Sequence, residues 1–280
     1  MKVVLTGGTG LLGTALTKEA MARGHETVSL GRPELSVTDP AKCADRFESE
    51  APDIVLHCAA YTAVDRAESE PLEAVAVNDT GTRNVVTAAN RVGAFFVYPS
   101  SDYVFGGNGR HRPWATDDPP QPIGAYARSK LAGERAAADA AAGHLVVRTG
   151  WLYGEGGGNF VDTMLRLGRE RGSVRVVNDQ HGRPTWTDSL ARTVFDLLEA
   201  GAEGVQHATD DGTATWCDLA KAALELAGID AVIEPISTVE FGAPAPRPTY
   251  SVLDLERTRA LLGRPLPHWK TSLGRYLETT

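Results

Sequence analysis

Short apolar runs alternate with amphipathic stretches along the first half of the chain. Val3-Val4-Leu5 carries no polar residue, as a parallel strand buried on both faces requires. Leu11, Leu12, Ala15, Leu16 and Ala20 then recur at helical spacing, and Gly24 ends that helix. Thr27 to Leu30 predicts a second strand, Ala41 to Glu50 a helix, and Asp53 to Cys58 a third strand. Pro71 to Arg91 reads as helical. Ala94 to Tyr98 reads as a strand that runs into Ser100-Ser101-Asp102-Tyr103-Val104-Phe105. A Gly/Pro-rich loop spans Gly106 to Gly124. A helix is predicted from near Ala125 through an alanine-rich stretch to Ala142, alanine being the strongest helix former. Leu145 to Arg148 is the next strand.

Strand and helix thus alternate over residues 1–150. That order predicts an α/β fold with a doubly wound, parallel, Rossmann-type sheet and right-handed crossovers. After Trp151 the pattern loosens. Glycines cluster over Gly154 to Gly158, a helix is predicted from Phe160 to about Arg171, and short pieces follow. The expected organisation is a nucleotide-binding domain over residues 1–150 and a mainly substrate-binding α/β lobe over 151–280, with some later segments returning to the first unit.

Composition narrows the function. The formal net charge is −8, which argues against a nucleic-acid surface. Cys43, Cys58 and Cys217 are odd in number and scattered, without a Cys-x-x-Cys, so neither a disulfide framework nor a zinc site is expected. No segment approaches the ~20 apolar residues of a membrane span. A cytoplasmic protein without a membrane partner is the expectation.

The turn after the first strand reads Thr6-Gly7-Gly8-Thr9-Gly10-Leu11-Leu12-Gly13. It satisfies Gly-x-Gly-x-x-Gly from Gly8 and Gly-x-x-Gly-x-x-Gly from Gly7. Glycine permits the tight turn, lets a pyrophosphate approach the backbone, and packs the helix against the strand. The helix N-terminus then offers free N–H groups to negative charge. A plain βα turn without ligand is the alternative, and the flanking strand and helix favour the dinucleotide. At the second strand's end, where an acid usually binds the adenosine 2′-hydroxyl, the chain reads Gly31-Arg32-Pro33. Arg32 could pair with a 2′-phosphate, so NADPH is favoured. Glu34 keeps NADH open.

Tyr126 and Lys130 are four residues apart and share one helix face. A nearby ammonium favours the phenolate and draws the tyrosine's pKa toward working pH, where proton transfer is most effective. Such a pair is often a plain exposed helix pair. Behind a glycine-rich start and a serine-bearing strand end it points to hydride transfer at a carbonyl. Ser101, at the carboxyl edge of the sheet, would bind the substrate oxygen, with Ser100 as its competitor.

In these motifs the chain resembles the extended short-chain dehydrogenase/reductases, and within them the dTDP-4-dehydrorhamnose reductase family. The resemblance covers nearly the whole length. It is carried by Gly7–Gly13, Ala59-Ala60-Tyr61-Thr62-Ala63-Val64-Asp65, Ser100–Phe105, Tyr126–Glu134, Thr149–Gly154, Asn159-Phe160, Gly182–Thr185 and Arg247-Pro248. It implies reduction at C4 of a dTDP-4-keto-6-deoxyhexose supplied by a 4,6-dehydratase and a 3,5-epimerase. Tyr126, Lys130 and Ser101 are its catalytic residues. Gly7, Gly10, Leu11, Leu12, Gly13, Arg32, Ala59, Ala60, Tyr61, Tyr126 and Lys130 are its cofactor side. By the same analogy Thr62, Val64, Asp102, Tyr103 and Trp151 line the sugar pocket, and Asn159, Arg183 and Arg247 meet the nucleotide and its phosphates. Val64 and Trp151 could equally be core, and either arginine a surface charge.

The chain departs from the family in places. Ser101 replaces the usual threonine, His57-Cys58 stands where asparagine is frequent, and Ala127 replaces a glycine. His57 is given no catalytic role. Some members dimerise through magnesium. No compact carboxylate cluster supports that here, so no metal is assigned, and a homodimer stays open. The rival readings are a sister reductase for another 4-keto sugar, a non-catalytic cofactor-binding regulatory subunit, and an extended-family epimerase or dehydratase.

Overall fold

The computed structural model describes residues 1–106 and 109–279. The predicted alternation is present: β1 (Lys2–Thr6), α1 (Leu11–Ala22), β2 (Glu26–Leu30), α2 (Pro40–Glu50) and β3 (Ile54–His57) follow in order. Next come α3 (Val64–Ser69), α4 (Pro71–Val75), α5 (Thr82–Val92), β4 (Phe95–Ser101), α6 (Ala125–Ala137) and β5 (His144–Thr149). Residues 107 and 108 of the predicted Gly106–Gly124 loop lie outside the described residues.

The central sheet is parallel and runs β2, β1, β3, β4, β5 and then the strand Gly204–His207. The chain reverses direction across the sheet beside β1, which opens the crevice where open α/β sheets bind ligands. Strand period explains the two cores. Val3, Leu5, Leu56 and Val97 face one side and meet α1 and the helix Thr187–Glu199 through Leu16, Leu190 and Val194. Val4, Val55, Phe96 and Val146 face the other side and meet α2 and α5 through Phe47, Val85 and Ala89. Burying each such side chain contributes roughly 1.5–3 kcal/mol. A third core, including Val161, Leu165, Leu219, Trp269 and Leu273, supports the later segments.

Two helical expectations change. The Pro71–Arg91 helix is interrupted by a π-helical stretch, Ala76–Gly81. Such widened turns gather at functional sites, and this one aims Asn78 inward. The α6 helix ends at Ala137, five residues before the predicted Ala142. Intrinsic propensity loses there to tertiary bonds: the Asn90 side chain accepts from the Ala141 N–H at 2.7 Å and donates to the Asp139 carbonyl at 3.0 Å. Gly143, at φ 98°, then turns the chain into β5.

Candidate active site

Gly7 sits at φ 66°, and a Cβ there would lie 2.5 Å from the Ala59 nitrogen. Only glycine lets β1's exit run this close to the end of β3. A Cβ on Gly13 would meet the Gly7 carbonyl oxygen at 2.3 Å, so the first turn of α1 packs directly on the loop. Gly10 is the N-cap of α1 and supplies no side-chain cap. The first N–H groups of α1 therefore lack side-chain partners. They face a cavity of about 700 Å³, lined here by Gly7, Gly10, Leu11, Leu12 and Gly13. Uncapped N–H groups and a glycine cradle fit a pyrophosphate.

The same cavity is lined by Arg32, Ala59, Ala60, Tyr61, Thr62 and Val64, and farther along by Ser101, Asp102, Tyr103, Tyr126, Lys130 and Trp151. Arg32 is exposed at the end of β2. The parallel register explains the convergence on one edge: Thr6 pairs with His57, and Ser101 with Thr149.

α6 is held against the sheet by unusually close contacts. A Cβ on Gly133 would lie 2.1 Å from the Tyr98 hydroxyl and 2.4 Å from the Asn78 carbonyl. The Asn78 amide donates to the Ser129 hydroxyl at 2.8 Å and to the Tyr61 carbonyl at 3.0 Å, and its oxygen accepts from the Tyr61 N–H at 2.8 Å. Ser129 in turn donates to the Tyr126 carbonyl at 2.7 Å. The π-helical turn thus locks the Tyr61 loop to the helix that carries Tyr126.

The two serines part company. Ser100 donates to the Glu134 carboxylate at 2.5 Å, and Glu134 forms a buried two-bond pair with Arg148 at 2.9 and 2.8 Å. Ser100 lines the cavity as Ser101 does, but its proton is taken by Glu134. Ser101 accepts from the Tyr103 N–H at 3.1 Å and keeps its hydroxyl beside Tyr126.

Burial pushes the Tyr126 phenol up to about 12, with the Ser101 hydrogen bond opposing it. Burial draws the Lys130 ammonium down to about 8, against the pull of Glu134 and Cys58. The expectation that Lys130 depresses Tyr126 is corrected by this geometry. The ammonium donates to the Pro99 carbonyl at 2.8 Å and lies 4.1 Å from the Tyr98 ring centroid, and burial, the largest influence on Tyr126, acts in the opposite direction to the expected one. With its ionisation raised by burial, Tyr126 is protonated at neutral pH. His57 is buried between the Thr6 and Thr82 hydroxyls at 2.6 and 3.1 Å, and desolvation pushes it down to about 3. A neutral ring with both nitrogens partnered is structural.

Three residues assigned to the nucleotide side are not on the cavity wall. Asn159 caps the helix Phe160–Arg171, accepting from the Asp162 N–H at 3.0 Å and donating to the Gly154 carbonyl at 3.0 Å. Arg183 donates to the Leu253 carbonyl at 2.9 Å and to Asp211 at 2.6 Å. Arg247 forms a two-bond pair with Asp65, both contacts at 3.0 Å. Trp216 was missed. It lines the cavity and stacks on Trp151 with centroids 3.6 Å apart and planes within 1°. Trp151 holds this place at φ 54°, and Gly182 clears the space, since a Cβ there would lie 2.3 Å from the indole. No local sequence pattern ties position 151 to position 216.

The model of the family described as "RmlD substrate binding domain" matches residues 1–280. A dTDP-4-dehydrorhamnose reductase of Streptomyces griseus is 43% identical over 278 residues, covering 96% of this chain and 91% of that protein. A probable dTDP-4,6-dihydroxy-2-methyloxan-3-one 4-ketoreductase of Streptomyces antibioticus is 38% identical over 278 residues, covering 98% and 93%. The crystal structure of a Bacillus anthracis dTDP-4-dehydrorhamnose reductase in complex with NADP matches with a TM-score of 0.96 at 37% identity, covering 100% of this chain and 99% of that one. With a family match over its whole length and reductases of this identity beside it, the chain belongs to the RmlD substrate binding domain family.

Proposed function

We propose that this protein reduces the C4 keto group of dTDP-4-dehydro-L-rhamnose to give dTDP-L-rhamnose, using NADPH. The observation that carries the reading is a single cavity in which an uncapped glycine-cradled helix N-terminus meets Ser101, Tyr126 and Lys130. In this reading residues 1–150 hold mainly the cofactor and 151–280 mainly the sugar nucleotide. The protein works in the cytoplasm, and among the described residues no helix is long and apolar enough to cross a membrane.

The bound cofactor supplies hydride to C4. The protein's own groups do the rest. The α1 N–H groups and Gly7, Gly10 and Gly13 take the pyrophosphate, and Arg32 takes the 2′-phosphate. Lys130 holds the ribose hydroxyls, and the chain around Ala59–Tyr61 shapes the adjoining wall. Ser101 hydrogen-bonds the C4 oxygen, and Tyr126 gives it a proton. Burial keeps Tyr126 protonated until charge develops on that oxygen, where a well-placed donor is worth most. Trp151, Val64 and Thr62 enclose the sugar.

The Streptomyces antibioticus relative carries the second reading, the same reaction on another dTDP-4-keto-6-deoxyhexose. The Tyr126–Lys130 pair inside the cavity speaks against a regulatory subunit without turnover. The test is incubation with dTDP-4-dehydro-L-rhamnose and NADPH, following nicotinamide absorbance and identifying the product by NMR. Rapid oxidation with dTDP-L-rhamnose as product supports the first reading. Tight NADPH binding without oxidation moves the assignment to a different keto sugar.

A further inference from the structure

We infer that Ser251 is a positioning residue for the reduction: by bonding one oxygen of Asp102 it decides which way the Ser101 hydroxyl points. This inference rests on the proposed reaction for its kinetic arm only.

Ser251 lies in a segment held on both flanks. The Ser251 N–H donates to the His181 carbonyl at 2.8 Å, the His181 N–H to the Thr249 carbonyl at 2.9 Å, and the Trp114 N–H to the Val252 carbonyl at 2.8 Å. Its side chain is therefore delivered by a rigid backbone. The Ser251 hydroxyl donates to Asp102 Oδ2 at 2.5 Å, and the Ser101 hydroxyl donates to Asp102 Oδ1 at 3.3 Å. Ser251 and Asp102 are both buried. The carboxyl is accommodated because position 150 is glycine; a Cβ there would lie 2.4 Å from Asp102 Cγ.

The consequence follows from counting protons. An ionised carboxylate only accepts hydrogen bonds. While Asp102 is ionised, Ser101 spends its single proton on Oδ1 and offers the cavity a lone pair. It can then accept from Tyr126 but cannot donate to a substrate oxygen. When Asp102 carries a proton on Oδ1, that O–H donates to Ser101 Oγ and the Ser101 proton is released toward the cavity. Ser251 has one proton and two acceptors, Asp102 Oδ2 and, at 3.4 Å, the His181 carbonyl; the much shorter contact to Oδ2 wins the proton, keeps that oxygen an acceptor and so directs the carboxyl proton to Oδ1. Burial, opposed by the bonds from Ser251 and Ser101, pushes Asp102 up to about 7, which puts the two states within working range. The titratable groups facing Asp102 are Tyr126 from α6 and the adjoining Tyr103, both raised by burial and neutral at that pH. Arg247 touches Tyr103 and is bound to Asp65.

The sign is explicit. The protonated form of Asp102 supports reduction, so kcat rises as pH falls through the Asp102 ionisation. Asp102→Asn mimics the protonated form, its amide donating to Ser101 while its oxygen accepts from Ser251. Whatever its absolute rate, its pH profile is expected to lose the limb near neutrality and to keep any alkaline loss due to Lys130. Ser251→Ala is expected to lower kcat at acid pH about tenfold, the worth of one directed hydrogen bond, with NADPH affinity unchanged. Ser251→Thr restores it. A Ser251→Ala profile that superimposes on wild type, or an Asp102→Asn profile that keeps the limb, overturns the inference. The second arm needs no turnover: the carboxyl ¹³C signal of Asp102, followed by NMR, should titrate near neutrality and move to higher pH in Ser251→Ala. An unmoved midpoint overturns the inference whichever sugar the enzyme accepts, whereas an inactive wild type with a shifted midpoint counts only against the proposed substrate.

Discussion

The wall expected to face the cofactor and the wall expected to face the sugar nucleotide differ in how many of their assigned residues line the cavity. On the cofactor wall, Gly7, Gly10, Leu11, Leu12, Gly13, Arg32, Ala59, Ala60 and Tyr61 all line one cavity. On the other wall, Thr62, Val64, Asp102, Tyr103 and Trp151 line it, whereas Asn159, Arg183 and Arg247 are bound to protein partners away from it. The difference teaches where recognition is written. A phosphate cradle is made of backbone, and its requirements are local: a positive φ, missing Cβ atoms, a free helix end. A sugar wall is made of side chains, and a guanidinium is available to a ligand only if no carboxylate reached it first. Asp65 and Asp211 did so.

Four changes probe that contrast, the strongest first. Tyr126→Phe should cut kcat by about 10²–10⁴, the usual share of a general acid, while NADPH binds as before. Turnover near the wild-type rate would remove Tyr126 from the chemistry. Gly13→Ala attacks the backbone cradle. Its Cβ would press on the Gly7 carbonyl at 2.3 Å, and NADPH affinity should fall about a hundredfold, matching the upper range of overpacking costs. Calorimetric titration with an unchanged dissociation constant would show that the cradle yields freely. Arg32→Ala should raise KM for NADPH about tenfold and leave NADH nearly unaffected, since a single charge-assisted contact is lost. Equal effects on both cofactors would mean Arg32 does not read the 2′-phosphate. The smallest effect belongs to Asn159→Ala. Loss of this cap should cost about 1 kcal/mol of stability, read from denaturant melts, with KM for the sugar nucleotide unchanged. A raised KM at full stability would return Asn159 to the binding wall.

The two serines show the limit of reading from sequence. Ser100 and Ser101 are chemically identical neighbours at one strand end, and only the partners supplied by α6 separate them. Glu134, held by Arg148, takes Ser100. Ser101 faces Tyr126. The Tyr126–Lys130 spacing correctly placed both residues on the cavity, but their electrostatic relation was not legible from spacing. The Pro99 carbonyl and the Tyr98 ring, more than thirty residues earlier in the chain, occupy the ammonium.

What the linear chain carries unaided are the features that a few consecutive residues impose on their own backbone. The buried runs of β1 and β3, the helical spacing of α1, the glycine turn between them and the shared face of Tyr126 and Lys130 are of this kind, because steric limits and periodicity act within one or two turns. Everything that depends on a meeting between distant segments awaited the fold. The sixth strand arrives from Gly204–His207, Asn90 halts an alanine-rich helix, Trp216 covers Trp151, and Ser251 reaches Asp102. Each of these is settled by packing and by competition for hydrogen-bond partners. Such competition is resolved only when the whole core closes, and it leaves no local trace in the order of residues.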